Sequence, residues 1–234
     1  MSRTGLAALV VANLFVALQT LRHDWGYYEA MLVFWTEVVI LGGFNVLRLL
    51  IVGVFGAQPL GSWAARWVDL GSRLNRFIYT AFGVGFFVVK FGGFAIVIGL
   101  FVVLLPALLT PEGSNGGVSV HQALGAAGPG LLAAAAVLAV SHAVSFIRDF
   151  LAGREYQRLT IVGLVFWPYA RMVLVAVVLL LGVAVAGSVP GIGRESGFAA
   201  VMVLLKLGAD LVSYSAEHRW RGAEPKPAVV ASAA

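Results

Sequence analysis

Long apolar runs separated by short polar links organise this chain. Runs close to the length of a bilayer crossing recur at residues 5–21, 28–55, 78–109, 130–147, 161–186 and 198–217, and a helix needs roughly 20 apolar residues to cross about 30 Å of hydrocarbon. The pattern predicts an all-α, polytopic membrane bundle of six transmembrane helices over residues 1–220 and a Pro/Ala-rich, disordered tail over 221–234. The third run is longer than one perpendicular crossing needs, which predicts a tilted span or a break near Gly92 and Gly93. Between the second and third runs, Trp63, Trp67, Leu70 and Leu74 recur at helical spacing beside Arg66, Asp69, Arg73 and Arg76. That spacing predicts a short helix lying on the membrane surface. Residues 110–129, with Pro111, Gly113, Gly116 and Gly117, and residues 187–197 read as loops.

The basic residues orient these spans. Placed on alternate sides, Arg3, the Arg66/Arg73/Arg76 link, the Arg148/Arg154/Arg158 link and the Arg219/Arg221/Lys226 tail share one face, leaving only Arg22 and Arg194 on the other. Cytoplasmic links hold the excess of Lys and Arg, so both termini are expected in the cytoplasm of an inner-membrane, multi-pass protein. The first run is read as a retained span, because no small-x-small cleavage site precedes His23-Asp24-Trp25. Composition agrees: 60% of the 234 residues are hydrophobic and 12% are charged, against about 25% charged in an ordinary soluble domain. The net charge of +5 does not point to nucleic acid, since the basic residues form no aromatic-interleaved patch. With no cysteine in the chain, disulfides, thiolate metal sites and cysteine nucleophiles are excluded. Small residues at Gly85, Gly92, Gly99 and Ala133 to Ala136 read as helix-packing positions.

Against this hydrocarbon background stand six ionisable residues inside the runs: Glu37, Arg48, Lys90, Arg171, Lys206 and Asp210. An Arg, Lys or Asp at a helix centre costs roughly 2.5–3.5 kcal/mol, so such residues are expected to face one another or water. Glu37 and Arg48 lie on nearly one face of the second span with Asn45 close by, separated by roughly 16 Å along the axis. Arg48 can snorkel to the cytoplasmic boundary, whereas the short Glu37 must be protonated, paired or wet. Lys206 and Asp210 are neighbours on the sixth span, in a polar stripe continued by Ser213, Tyr214, Glu217 and His218. His142, Ser145 and Asp149 share a face of the fourth span, where a histidine is usually a hydrogen-bonded packing residue. Lys90 lies near the middle of the third span, and Arg171 follows the helix-bending Pro168 on the fifth. Four deep bases against two deep acids leave an excess of positive charge, which an anionic group or a lipid headgroup would balance.

Catalytic motifs are absent: there is no Gly-x-Ser-x-Gly elbow, no His-Glu-x-x-His and no phosphate-binding glycine loop. A zinc-type site could draw on Glu37, His142, Asp210 and His218. No metal or other cofactor is expected, however, because His23 and His121 fall in the outer links.

The string Phe34-Trp35-Thr36-Glu37, followed by Asn45-Val46-Leu47-Arg48, resembles the signature helix of a bacterial multi-pass membrane-protein family catalogued only as a domain of unknown function. Ser141-His142 with Phe146, Gly153-Arg154-Glu155-Tyr156, Pro168-Tyr169-x-Arg171 and Lys206-x-x-x-Asp210 are similar to that family's later motifs in order. The resemblance implies further imidazoles on the third, fifth and sixth helices. This chain instead carries Ile98 or its neighbours, the stretch after Arg171, and Tyr214.

The leading expectation is a small transporter or channel-like protein. Its polar cavity is expected between the second, third, fifth and sixth helices, with His142 of the fourth beside it. There Glu37 and Asp210 would bind or relay protons, and Asn45, Lys90, Arg171 and Lys206 would line the cavity and hold an anionic group. Two alternatives stand beside it: a membrane-embedded hydrolase or transferase acting on lipid, and a scaffold whose charge pairs fix helix register. The expected partners are the lipid bilayer and a small anionic molecule or lipid headgroup, and a homo-oligomer is compatible with the sequence.

Overall fold

The computed structural model describes residues 3–23, 25, 27–57, 72–109, 120–188 and 196–223. All regular structure among the described residues is helical: α1 (Arg3–Arg22), α2 (Tyr27–Phe55), α3 (Arg73–Phe87), α4 (Gly93–Leu109), α5 (Val120–Ser145), α6 (Ile161–Ser188) and α7 (Ser196–Ala223). A π-helical turn, Val88–Gly92, joins α3 to α4 without interruption, and a second one, Phe146–Ala152, continues α5 before a single 3-10 turn, Glu155–Gln157. Three helices, Tyr28–Phe55, Arg73–Leu104 and Gly128–Ala152, are long and apolar enough to cross a membrane. The third apolar run is thus one continuous helix with a π turn just before Gly93.

α2 is the hub, packing on α3, α4, α5, α6 and α7, while α1 lies against α5 and α7 on one side of it. The reason lies in how each helix divides its faces. On α1 the buried residues Leu9, Ala12, Asn13, Val16, Ala17 and Thr20 follow 3.6-residue spacing, and Val11, Leu14, Leu18 and Leu21 point outward. α7 repeats the arrangement, with Ala199, Met202, Val203, Lys206 and Asp210 inside and Val201, Leu204, Leu205 and Val212 outside. The polar residues are therefore turned inward and the outer surface is hydrocarbon. This is the reverse of a soluble helix and the division a lipid solvent requires. Near its start α2 is enclosed on every side, with Ala30, Met31, Leu32, Val33 and Phe34 all buried.

Since lipid is as apolar as leucine, close backbone approach and interhelical hydrogen bonds hold such a bundle together. Trp35 of α2 donates its indole Nε1–H to the Ala95 carbonyl of α4 at 2.8 Å. The ring fits because Gly99 follows one turn on, where a Cβ would lie 2.6 Å from the indole. Phe91 stacks on Phe87 with centroids 4.7 Å apart, and its ring edge fills the space where a Cβ on Gly42 would sit, 2.7 Å away. Gly85 and Gly92 have nothing within 4 Å of a Cβ position, so of the glycines spaced seven apart only Gly99 is a packing position.

Two further features depart from the expected pattern. Residues 120–129 are helical, not loop: Gln122, Ala123, Leu124, Ala126 and Ala127 favour helix strongly enough for Pro129 to be carried inside α5. At its other end α3 starts at Arg73, where the Ser72 hydroxyl accepts the Asn75 amide N–H at 3.1 Å and caps the helix. Most of the expected surface helix, residues 58–71, and the tail from 224 lie outside the described residues.

Candidate functional site

The inward faces of four helices converge on one buried centre. Lys206 of α7 is 1% exposed, Glu37 of α2 4% and Asp210 of α7 3%. The Lys206 ammonium contacts Glu37 Oε2, Asp210 Oδ2 at 2.5 Å, and Asn13 Oδ1 of α1 at 3.1 Å. Two of these oxygens, on Glu37 and Asn13, accept hydrogen bonds from the ammonium, and the third, on Asp210, pairs with it by charge. Asn13 is oriented for this by its own Nδ2, which donates to the Leu9 carbonyl at 2.9 Å one turn back. On the other side of the centre, His142 Nε2 of α5 lies 3.6 Å from Glu37 Oε1, and its ring packs against Phe44 at 6.2 Å between centroids. The four-residue spacing of Lys206 and Asp210 aims both at the same point, while Asn13, Glu37 and His142 arrive from other helices.

Among the described residues the centre brings together two carboxylates, one ammonium and one imidazole. In a low-dielectric interior each of these groups is costly alone, and gathering them in one place lets the bundle hold them.

The remaining sequence-predicted residues are distributed elsewhere. Asn45 is buried on α2, but its Nδ2 donates to the Leu164 carbonyl of α6 at 2.9 Å. Leu164 is the residue whose helical partner would be the amide four positions on, and that position is Pro168, which has no N–H. Asn45 thus repairs a helix that proline interrupts, a known way for membrane helices to tolerate proline. Arg48 is half-buried, with its guanidinium 5.8 Å from the centroid of the Phe150 ring. Lys90 is exposed in the π turn between α3 and α4, flanked by exposed Val88 and Val89, and does not join the centre. The π turn keeps Phe87 and Phe91 inward and leaves Lys90 on the outer surface. The side chains of Arg171, Tyr214 and His218 lie outside the described residues.

The described groups of the centre come from α1, α2, α5 and α7; Lys90, expected there from the third apolar run, is not among them, and the expected contribution of Arg171 lies outside the described residues. Asn13 is not among the residues picked out by the cost of buried charge, and unlike Asn45 it has no ionisable residue on its own helix face. Its place midway along an apolar run, between Ala12 and Leu14, is the signal that could have found it.

The donor set bears on metal chemistry too. Glu37, His142 and Asp210 are ligand types suited to zinc, but the position between the two carboxylates is filled by the Lys206 ammonium. Among the described residues no group of three His, Asp or Glu side chains is arranged to hold a metal ion. The ammonium supplies in this place the positive charge that a cation would bring.

Comparison with known proteins gives a family and no activity. The chain belongs to DUF6498, a family of unknown function, which matches residues 1–227. No curated protein and no solved structure matches it.

Proposed function

We propose that this protein is a six-span, inner-membrane protein with both termini cytoplasmic, and that its buried centre binds and relays protons within a small transporter or channel-like protein. The observation that carries the reading is the meeting of two carboxylates, an ammonium and an imidazole in one buried centre, with Lys206 in contact with Glu37 and Asp210 and His142 beside Glu37. Such a centre has an imidazole and two carboxylates between which a proton can move. The ammonium holds both carboxylates in place, and Asn13 holds the ammonium. A relay needs groups that exchange a proton directly or through one water, and at 3.6 Å the His142 imidazole and the Glu37 carboxylate stand close enough to close up for such a transfer. Proton binding is favoured over anion binding, since Lys206 is already surrounded by the oxygens of Glu37, Asp210 and Asn13 and Lys90 is exposed. The six-span topology is supported by the three long apolar helices and by the concentration of arginine on alternate links.

The test is proton flux into liposomes driven by a membrane potential, followed with an entrapped pH dye, for wild type, Glu37→Gln, Asp210→Asn and His142→Ala. Flux should fall at least about tenfold in each variant. Infrared spectroscopy of the same samples should show a protonated carboxyl band that Glu37→Gln or Asp210→Asn removes. Equal flux in all four proteins together with an unchanged carboxyl band would overturn the proposal.

A further inference from the structure

Lys90 is an exposed charge partway along a helix of membrane-crossing length, Arg73–Leu104. Among the described residues no ion pair or hydrogen bond holds its ammonium. Its depth follows from the packing on α2. Phe91, the next residue, fills the space beside Gly42, and the Ala95 carbonyl four residues farther on receives the Trp35 indole N–H. Gly42 is 14 residues from Tyr28 and 13 from Phe55, the ends of the apolar span of α2, so Lys90 stands level with its middle. From there the edge of the hydrocarbon is about 15 Å away on either side, farther than the four methylenes of a lysine can carry its ammonium. The surface around it is hydrocarbon, with Phe82, Phe86, Val88, Val89, Phe94 and Val97 all exposed. Gly85 and Gly93 are exposed among them and have nothing within 4 Å of a Cβ position, so the surface is low there and the backbone of another helix can approach closely. The π turn that holds Lys90 outside is a feature frequent at functional sites.

We infer that this face of α3 and α4 docks a transmembrane helix of another protein, one that carries an Asp or Glu near the middle of its own span, and that Lys90 is the residue that pairs with it. A charge held in hydrocarbon is costly and is met by a group of opposite sign. Three sources of negative charge compete for Lys90. Lipid headgroups lie beyond its reach from the middle of the span. A second copy of this chain offers no matching acid among the described residues, since the carboxylates inside its spans, Glu37, Asp149 and Asp210, are all buried. A carboxylate on a foreign helix at the same depth meets the ammonium directly, and the two bare glycines let that helix come near enough to do so. The inference goes beyond the proton relay, in which Lys90 takes no part, and rests only on the helix Arg73–Leu104 crossing the membrane.

The experiment measures energy transfer in zwitterionic liposomes between the full chain and a synthetic transmembrane helix. The chain has no cysteine of its own, so Ala57→Cys, at an exposed position after α2, gives a single labelling site. The probe is a dye-labelled leucine/alanine helix of about 25 residues with one Asp at its centre, with the Asp near one end, or with Leu in its place. The central-Asp helix should associate about tenfold more tightly than the other two. Lys90→Leu should remove that preference, and Lys90→Arg should keep it. Thermal unfolding of each variant checks the fold, and Lys90→Gln takes the place of Lys90→Leu if the latter does not fold. Equal association of the three helices with wild type would overturn the inference, as would a preference for the central Asp that survives in the Leu or Gln variant. Two further results would overturn the choice of partner. Energy transfer between copies of the chain that Lys90→Leu abolishes would assign the face to a second copy, and loss of the central-Asp preference when phosphatidylglycerol is added to the liposomes would assign it to anionic headgroups.

Discussion

The link between Asn45 and Pro168 can be tested without knowing any substrate. Asn45 Nδ2 donates to the Leu164 carbonyl, the group to which Pro168 can offer no N–H. Replacing Asn45 by Leu, which has nearly its shape, leaves that buried carbonyl without the side-chain donor. An unsatisfied buried polar group costs about 1–3 kcal/mol, and side-chain hydrogen bonds between membrane helices average about 0.6 and reach about 1.7 kcal/mol. Asn45→Leu is therefore expected to destabilise by about 1–2 kcal/mol. In a Pro168→Ala background the amide at position 168 regains its N–H and can bond Leu164 itself, so the same replacement should cost less than about 0.5 kcal/mol. The assay is equilibrium unfolding of the four proteins of this double-mutant cycle in mixed micelles, with hydrogen exchange at residue 168 in the alanine background as a direct readout. Equal costs in the two backgrounds would show that Asn45 does not compensate for the proline.

Three further outcomes follow from the packing and the charges. Gly99→Ala forces a methyl group to within 2.6 Å of the Trp35 ring and should cost about 1–3 kcal/mol, whereas Gly85→Ala, which meets open space, should gain about 0.5–1 kcal/mol; thermal unfolding in detergent separates the two, and equal effects would refute the glycine contacts. Lys206→Met removes the cation between Glu37 and Asp210 and should destabilise by about 3–5 kcal/mol. The triple replacement Glu37→Leu, Lys206→Met and Asp210→Leu should recover most of that loss in the same melts, while Lys206→Met with Asp210→Leu alone should not, since Glu37 stays. Thr160, whose hydroxyl accepts the Gly163 amide N–H at 3.1 Å at the start of α6, should cost about 0.5–2 kcal/mol when changed to Ala and little when changed to Ser, as read by chemical unfolding.

Much of this was readable in the chain, for identifiable reasons. The expense of placing charge in hydrocarbon picks out Glu37, Lys206 and Asp210 before any coordinates, and the structure brings all three into contact. Direction was not readable. The third span is apolar all round, so nothing in its pattern says which way Lys90 turns, and the π turn at Val88–Gly92 changes the register just where it would matter. Counting deep charges does not say which of them meet: Lys206 lies against both Glu37 and Asp210, while Lys90 stands on the outer surface. Pro168 announces an orphaned carbonyl at Leu164 from sequence alone. Its donor, Asn45, is 119 positions away and known only from the fold.

The bond from Lys206 to Asn13 joins the last helix to the first across 193 positions. During synthesis, α7 leaves the ribosome after every group that will neutralise it, apart from its own Asp210, has already been made. A segment carrying both a lysine and an aspartate inserts poorly on its own, yet here it arrives at helices that already present Glu37, His142 and the Asn13 amide. The order of translation thus lets the most polar helix enter the bilayer against a waiting acceptor, and a nascent chain halted before α7 leaves Glu37 in oil without its lysine.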